Sequence, residues 1–108
     1  MLTAIGYAQT SSYYTRQAQS YQREAAYYMR QAGNYQREAD FYNRQTQNNW
    51  REAEYYVKQK KYDMAKIYQD RAKSMADKSL AYSRKADNAR DRATDYTRKA
   101  NAMLNKNK

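Results

Sequence analysis

Residues 13–26 read YYTRQAQSYQREAA, residues 27–40 read YYMRQAGNYQREAD, and residues 41–54 read FYNRQTQNNWREAE. A fourth copy starts at Tyr55 as YYVKQ and then decays. Each copy is fourteen residues long, which equals two heptads, so the repeat indicates helix. The chain also has no proline and two glycines, and therefore offers few places for a sharp turn. The sequence predicts an all-α fold.

Tyrosine and alanine alternate in these copies at spacings of four and three residues, which places tyrosine at d and alanine at a of a coiled coil. We call these a and d residues the seam. Alanine lets two backbones approach closely, and tyrosine fills the space beside it. We expect each seam hydroxyl to reach Gln, Glu or Arg on a neighbouring helix. The predicted self-association residues are Tyr14, Ala18, Tyr21, Ala25, Tyr28, Ala32, Tyr35, Ala39, Tyr42, Ala53, Tyr56, Tyr68, Ala72, Met75, Tyr82 and Tyr96.

The seam changes phase in the middle of the chain, because Ala53 and Ala65 are twelve residues apart. Two stutters in one unbroken helix would explain the change. A turn near residues 58–63 would also explain it, with lysines ending the first helix and Asp63 capping the second. The segment KQKKYDMAK at residues 58–66 lacks Gly, Pro and Asn, which favours one very long coiled-coil-type helix, about 140 Å at about 1.5 Å per residue. The two-helix hairpin is the alternative.

The chain organisation follows from this phase. Residues 1–11 are expected to be an N-terminal segment that docks on a neighbour, with the first helix starting at Ser11 or Ser12 as N-cap. Residues 12–57 carry the Tyr/Ala heptads, and residues 58–64 carry the phase shift or turn. Residues 65–104 form a basic Ala/Met/Tyr heptad helix, and residues 105–108 are expected to be a frayed tail.

Further aromatic residues widen the apolar face beyond the seam. We call Tyr13, Tyr27, Phe41 and Tyr55 the outer ring row, since they recur every fourteen residues at c, one position before a seam tyrosine. Met29 and Trp50 lie at e. A wider apolar face favours more than two helices around each chain. The sequence therefore predicts a non-enzymatic structural protein that self-associates into a multi-helix bundle or filament.

Basic residues recur every seven positions in both halves of the chain. The first basic row lies at f, opposite the seam, and comprises Arg16, Arg23, Arg30, Arg37, Arg44, Arg51 and Lys58. The second basic row has the same interval and comprises Arg71, Lys78, Lys85, Arg92, Lys99 and Lys106. These rows are expected to form a solvated face, a lateral contact between protomers, or a track for a polyanion.

Charge is divided unevenly between the halves. Residues 1–54 contain six basic and five acidic residues, whereas residues 55–108 contain fifteen and six. Arginine and tyrosine together suit single-stranded nucleic acid through salt contacts and base stacking. A nucleic-acid-associated coat or scaffold that uses the basic second half is therefore the alternative function.

The sequence lacks the usual general base near neutral pH and the thiol nucleophile. There is no histidine and no cysteine, and no glycine-rich phosphate loop is found. We expect no enzymatic activity, no cofactor, no metal and no small-molecule substrate. No stretch is long and apolar enough to span a bilayer. A cytoplasmic location is the default expectation, with export without a cleaved signal peptide left open.

Overall fold

The computed structural model describes residues 4–106, with side chains from residue 12 onward. Two helices follow each other along the chain: α1 spans Ala4–Lys58, and α2 spans Tyr62–Lys106. The 55 residues of α1 are rich in Ala, Gln and Arg, and the 45 residues of α2 are rich in Ala, Lys and Arg, all of which lose little conformational freedom in a helix. The all-α prediction is confirmed.

A Schellman-type cap ends α1. The Lys60 amide donates to the Val57 carbonyl oxygen at 2.9 Å, and the Lys61 amide donates to the Tyr56 carbonyl oxygen at 2.9 Å. Lys60 adopts a φ of 60°, in the left-handed region where glycine usually stands. A non-glycine residue there costs about 1–2 kcal/mol. The two bonds satisfy carbonyl groups that would otherwise lack partners at the helix end.

The prediction of one unbroken helix is therefore wrong, and the chain forms the two-helix hairpin that was the alternative. The chain reverses without Gly, Pro or Asn because Lys60 accepts the left-handed conformation. Ala53 and Ala65 lie on either side of this reversal, and both are almost completely buried. The twelve-residue offset is thus the length of chain needed to bring the second run of alanines back against the first.

Both predicted helix starts need correction. Helix α1 runs through Ser11 and Ser12, so neither is an N-cap. Helix α2 begins at Tyr62, and the Lys61 carbonyl oxygen accepts the first helical bond, from the Ala65 amide at 3.0 Å. Asp63 therefore lies within the first turn, where its charge still favours the helix dipole.

The two chain ends are only partly described. Residues 4–11 are helical, but the docking predicted for residues 1–11 depends on side chains outside the described set. Helix α2 continues through Asn105 to Lys106, and residues 107 and 108 of the predicted frayed tail lie outside the described residues.

The described residues fall into two compact units. Unit 2 comprises residues 33–87 and contains the turn. Its core consists of small side chains in register, and Ser79 Oγ donates to the Ala39 carbonyl oxygen at 2.9 Å across the two helices. Seven residues closer to the turn on each helix, the same register places Thr46 opposite Ala72. The buried alanines of this unit are Ala39, Ala53, Ala65, Ala72 and Ala86.

Unit 1 comprises residues 1–32 and 88–108. Its core is again built from alanine. With one exception these alanines occupy a; Ala89 occupies d, where α2 carries a tyrosine one heptad away on each side. The buried alanines of this unit are Ala18, Ala25, Ala32, Ala89, Ala93 and Ala100.

Candidate interaction surfaces

Tyrosines from the two helices interleave in unit 1. The Tyr96 ring of α2 stacks on Tyr28 of α1 with centroids 5.8 Å apart and planes 7° apart. On its other side it meets Tyr21 of α1 at 6.1 Å. One ring of α2 therefore sits between two rings of α1 that are one heptad apart. Such offset aromatic contacts stabilise beyond the area they bury.

Unit 2 repeats the arrangement. Tyr82 of α2 stacks on Tyr42 at 5.6 Å with planes 11° apart, and meets Tyr35 at 6.2 Å. Near the turn, Tyr68 stacks on Tyr56 at 5.4 Å. The pattern follows from the sequence, because α1 carries tyrosine at nearly every d and α2 carries it at every second d.

Polar groups in the seam find partners close by. The Tyr28 hydroxyl accepts a hydrogen bond from Arg92 Nη1 at 3.2 Å, as expected for a seam hydroxyl facing a neighbouring helix. Thr46 and Asn49 interrupt the seam, and each donates to the carbonyl four residues earlier in its own helix. These bonds give the Thr46 hydroxyl and the Asn49 amide a partner at partly buried seam positions.

The pKa values of one seam group and of one group beside the seam are raised. Partial desolvation raises the pKa of the Tyr56 hydroxyl, and the neighbouring Tyr68 and Glu52 raise it further. The hydrogen bond to Tyr28 raises the pKa of the Arg92 guanidinium, so this side chain stays a cation.

The structure places the predicted self-association residues inside one chain. The alanines among them are buried, and Met75 and all the tyrosines among them are half-buried. Those tyrosines contact one another across the two helices in the pairs given above, except that Tyr14 contacts Tyr13 and Lys106. The seam therefore packs against the second helix of the same molecule, which buries its alanines and covers its tyrosines in part.

The outer ring row is left largely uncovered. Tyr13, Tyr27, Phe41 and Tyr55 keep 53%, 46%, 46% and 56% of their surface exposed. Each packs edge-on against the seam tyrosine that follows it, with centroids between 5.1 Å for Tyr27–Tyr28 and 5.5 Å for Tyr13–Tyr14. The Phe41–Tyr42 and Tyr55–Tyr56 pairs have the same geometry. The four rings are held in place by the seam but exposed to solvent.

The second basic row lies over the seam rings, which the sequence analysis did not predict. Its members occupy g and not f, and all except Lys106 stand one residue before a seam alanine or serine. In unit 1, Lys99 Nζ lies 5.0 Å from the Tyr96 centroid and 5.9 Å from that of Tyr21. The other contacts, each within the cation–π range, are Arg92 on Tyr28 at 5.5 Å and Lys106 on Tyr14 at 5.5 Å.

In unit 2 the same row continues the pattern. Lys85 Nζ lies 5.0 Å from the Tyr82 centroid and 5.8 Å from that of Tyr35. Lys78 lies 5.5 Å from Tyr42, and Arg71 lies 5.0 Å from Tyr68. The signal was available in the sequence: Arg71, Lys78 and Lys85 precede an a residue by one position, whereas the arginines of the first half precede an a residue by two.

The first basic row is exposed along its whole length, as its f position predicts. Two of its members bond within their own helix: Arg37 donates to Asn34 Oδ1, and Arg51 Nη1 donates to Asn48 Oδ1 at 3.5 Å. These partners are neutral, so they hold the side chains without cancelling the charge.

A shallow groove near the turn is lined by e residues of both helices. Trp50 and Val57 of α1 face Gln69 of α2 there, and Trp50 remains partly exposed. Sequence reasoning placed Trp50 at e but did not predict a groove beside it.

Neither described helix contains a stretch that is both long and apolar enough to cross a membrane. Comparison of the chain with protein-family models, with curated proteins and with solved structures finds no match.

Proposed function

We propose that this chain is a non-enzymatic structural protein whose helical hairpins associate with one another through the outer ring row of α1. The observation that carries the proposal is that Tyr13, Tyr27, Phe41 and Tyr55 stay about half-exposed, whereas the adjacent seam rings pack against α2 and are less exposed. Regularly spaced exposed aromatic residues are typical of interaction surfaces.

Area favours a second copy as the partner. At about 200 Å² per ring, the exposed halves of four rings present about 400 Å², worth about 10 kcal/mol at about 25 cal/mol per Å². Association costs about 4–15 kcal/mol in lost freedom. One set of rings therefore provides no clear surplus over that cost. Two copies that each contribute their rings double the apolar area, which favours contact between outer ring rows over contact of one row with a polar surface.

Charge points to contact between α1 helices. Residues 1–54 contain six basic and five acidic residues, so two such faces approach with little net repulsion. The second half carries fifteen basic and six acidic residues, and two copies of it repel. In α1, arginines at f flank each outer ring, and Glu24, Glu38 and Glu52 recur at the same fourteen-residue interval as those rings. A shift of one copy along the other can bring these opposite charges together.

The chain itself supplies the test substitutions. At the same heptad position c, the heptads that alternate with the outer rings carry Ser20, Asn34 and Asn48. We therefore replace the outer ring row with Tyr13→Ser, Tyr27→Asn, Phe41→Asn and Tyr55→Ser. Sedimentation velocity and negative-stain microscopy at micromolar concentration should show assemblies for the parent protein and monomers for the variant.

A control removes exposed apolar residues from another face. Ile67→Ser and Leu80→Ser alter α2 side chains that are 43% and 51% exposed, and this variant should assemble like the parent protein. A parent protein that remains monomeric at these concentrations contradicts self-association. Equal loss of assembly in both variants contradicts the assignment to the outer ring row.

A further inference from the structure

Charges on α2 are segregated by heptad position. The second basic row contains six cations and no acidic residue. The six aspartates of α2 all lie at b, c or f, on the side away from the seam: Asp63, Asp70, Asp77, Asp87, Asp91 and Asp95. The excess positive charge of the second half is thus concentrated along one edge of the helix, with three cations in each unit.

The cations of this edge are not neutralised by carboxylates. The observed ion pairs of α2 include Lys66–Asp70 at 3.4 Å and Arg98–Asp95 at 3.9 Å, which involve cations at b and f. Within the part of the chain that the structure describes, no member of the second basic row has a carboxylate within 4.0 Å. Their partners are neutral tyrosine rings, which orient the cations but leave their charge open to an anion.

Exposed rings lie beside these cations. In unit 1, Tyr27 packs on Tyr28, and Arg92 lies over the Tyr28 ring. In unit 2, Phe41 packs on Tyr42, and Lys78 lies over the Tyr42 ring. Each exposed ring is therefore one ring away from a cation, and this combination occurs in each of the two units.

We infer that the second basic row and the neighbouring outer rings bind single-stranded nucleic acid. Cations about 10.5 Å apart along a helix neutralise phosphates of a flexible strand. Exposed rings stack on unpaired bases, whereas duplex bases are already stacked. Glu24, Glu38 and Glu52 lie at g of α1, on the same edge of the seam, and lower its net charge, but in the described part of the chain none of them forms an ion pair with the six cations. The outer rings also carry the proposed self-association, so a base and a second copy of the chain compete for them, whereas the second basic row serves the nucleic acid alone.

The main experiment compares two variants of equal net charge. One replaces all six members of the second basic row with Gln, and the other replaces Arg16, Arg23, Arg30, Arg37, Arg44 and Arg51 of the first basic row with Gln. Binding of fluorescein-labelled oligothymidylate is measured by anisotropy against salt concentration. For the parent protein we expect log K to fall with log salt at a slope of about −4, from six phosphate contacts on a single strand.

The second-row variant should lose at least about a hundredfold in affinity at low salt, and the first-row variant less than about threefold. Equal losses would show that only net charge matters and would overturn the site. Circular dichroism checks that both variants remain helical. If the sixfold variant unfolds, Arg92, Lys99 and Lys106 are replaced alone and compared with Arg16, Arg23 and Arg30 of the same unit, with the slope expected to fall by about 2.

The outer rings distinguish the nature of the polyanion. Tyr27→Ser with Phe41→Ser should weaken oligothymidylate binding by about tenfold or more per ring, and leave competition by inorganic polyphosphate unchanged. Equal weakening for both probes would contradict base stacking. Binding to phosphatidylserine vesicles without binding to oligothymidylate would replace the nucleic-acid assignment with a lipid surface.

Discussion

The two basic rows recur at the same seven-residue interval. The side chains of the first row, on α1, extend into solvent, whereas those of the second row, on α2, lie over tyrosine rings. Arg23 of α1 stands two residues before Ala25 and is exposed at f. Lys99 of α2 stands one residue before Ala100, at g, and lies over Tyr96 and Tyr21. One position corresponds to about 100° around a helix. Equal spacing in a sequence therefore does not imply equal surroundings.

The contact between the second basic row and the tyrosine rings depends first on the close approach of the two helices. Ala72 is completely buried in the alanine core of unit 2, where Leu would force the helices apart. We expect Ala72→Leu to lower the free energy of unfolding by about 3 kcal/mol and to move the cations of α2 off their rings. Urea denaturation followed by circular dichroism measures the change. Ala81→Leu, at an exposed position of α2, should change the stability by less than about 0.5 kcal/mol, and a loss equal to that of Ala72→Leu would contradict a close-packed alanine core.

The seam rings beneath the second basic row should contribute more stability than the outer rings. Tyr96 contacts Tyr28 and Tyr21 and lies under Lys99, so Tyr96→Ala removes two ring contacts and one cation contact. We expect a loss of about 2 kcal/mol in the same denaturation assay. Tyr27→Ala, in the outer ring row, should lower the free energy of unfolding by less than about 1 kcal/mol at protein concentrations too low for self-association. Similar losses for the two variants would mean that seam and outer rings are equally buried in solution.

The cations themselves should have smaller effects. Lys99→Gln removes a charge that lies over two rings, and we expect it to cost about 0.5–1 kcal/mol. Arg23→Gln in the first basic row should change the free energy of unfolding by no more than a few tenths of a kcal/mol. Lys99→Gln should therefore lose more stability than Arg23→Gln. An Arg23→Gln variant that is less stable than Lys99→Gln would contradict a stabilising contact between Lys99 and its rings.

The smallest effect expected is a pH dependence. The pKa of Tyr56 is raised above its ordinary value of 10.0, because partial desolvation, Tyr68 and Glu52 disfavour the phenolate. A group with a raised pKa in the folded state stabilises fully below its unfolded pKa, and this contribution is lost as pH rises through the folded pKa. Thermal melting should therefore show stability decreasing above about pH 10. The decrease should be smaller in Tyr56→Phe, and an identical alkaline profile for the two proteins would contradict this origin.

Much of the local structure could be predicted from the sequence. The alanines at a are buried, and the tyrosines at d are half-buried, as the four-and-three spacing requires. The exposure of Tyr27 and Phe41 at c, and of Arg23 and Arg44 at f, follows from the same spacing. Heptad position is a local property, because it depends only on the helix to which the residue belongs.

The chain reversal could not be predicted in the same way. The segment from Lys58 to Tyr62 lacks the residues that usually end a helix, and Lys60 adopts the left-handed conformation at a cost of about 1–2 kcal/mol. Covering an alanine and tyrosine seam stabilises by more than this cost. A long-range gain therefore outweighs a local preference, and propensity rules consider only the local side.

The sequence by itself determined that this protein is helical, which residues form its seam and which rings and cations recur beside that seam, since these depend on a period of 3.6 residues. The tertiary structure decided that the seam is covered by the same chain and that the second basic row lies over tyrosines. Both outcomes depend on which helix is opposite which, and the cap at Lys60 sets that relation by returning α2 against α1. What remains exposed for other molecules, the outer ring row and the charges of the second basic row, follows from that pairing.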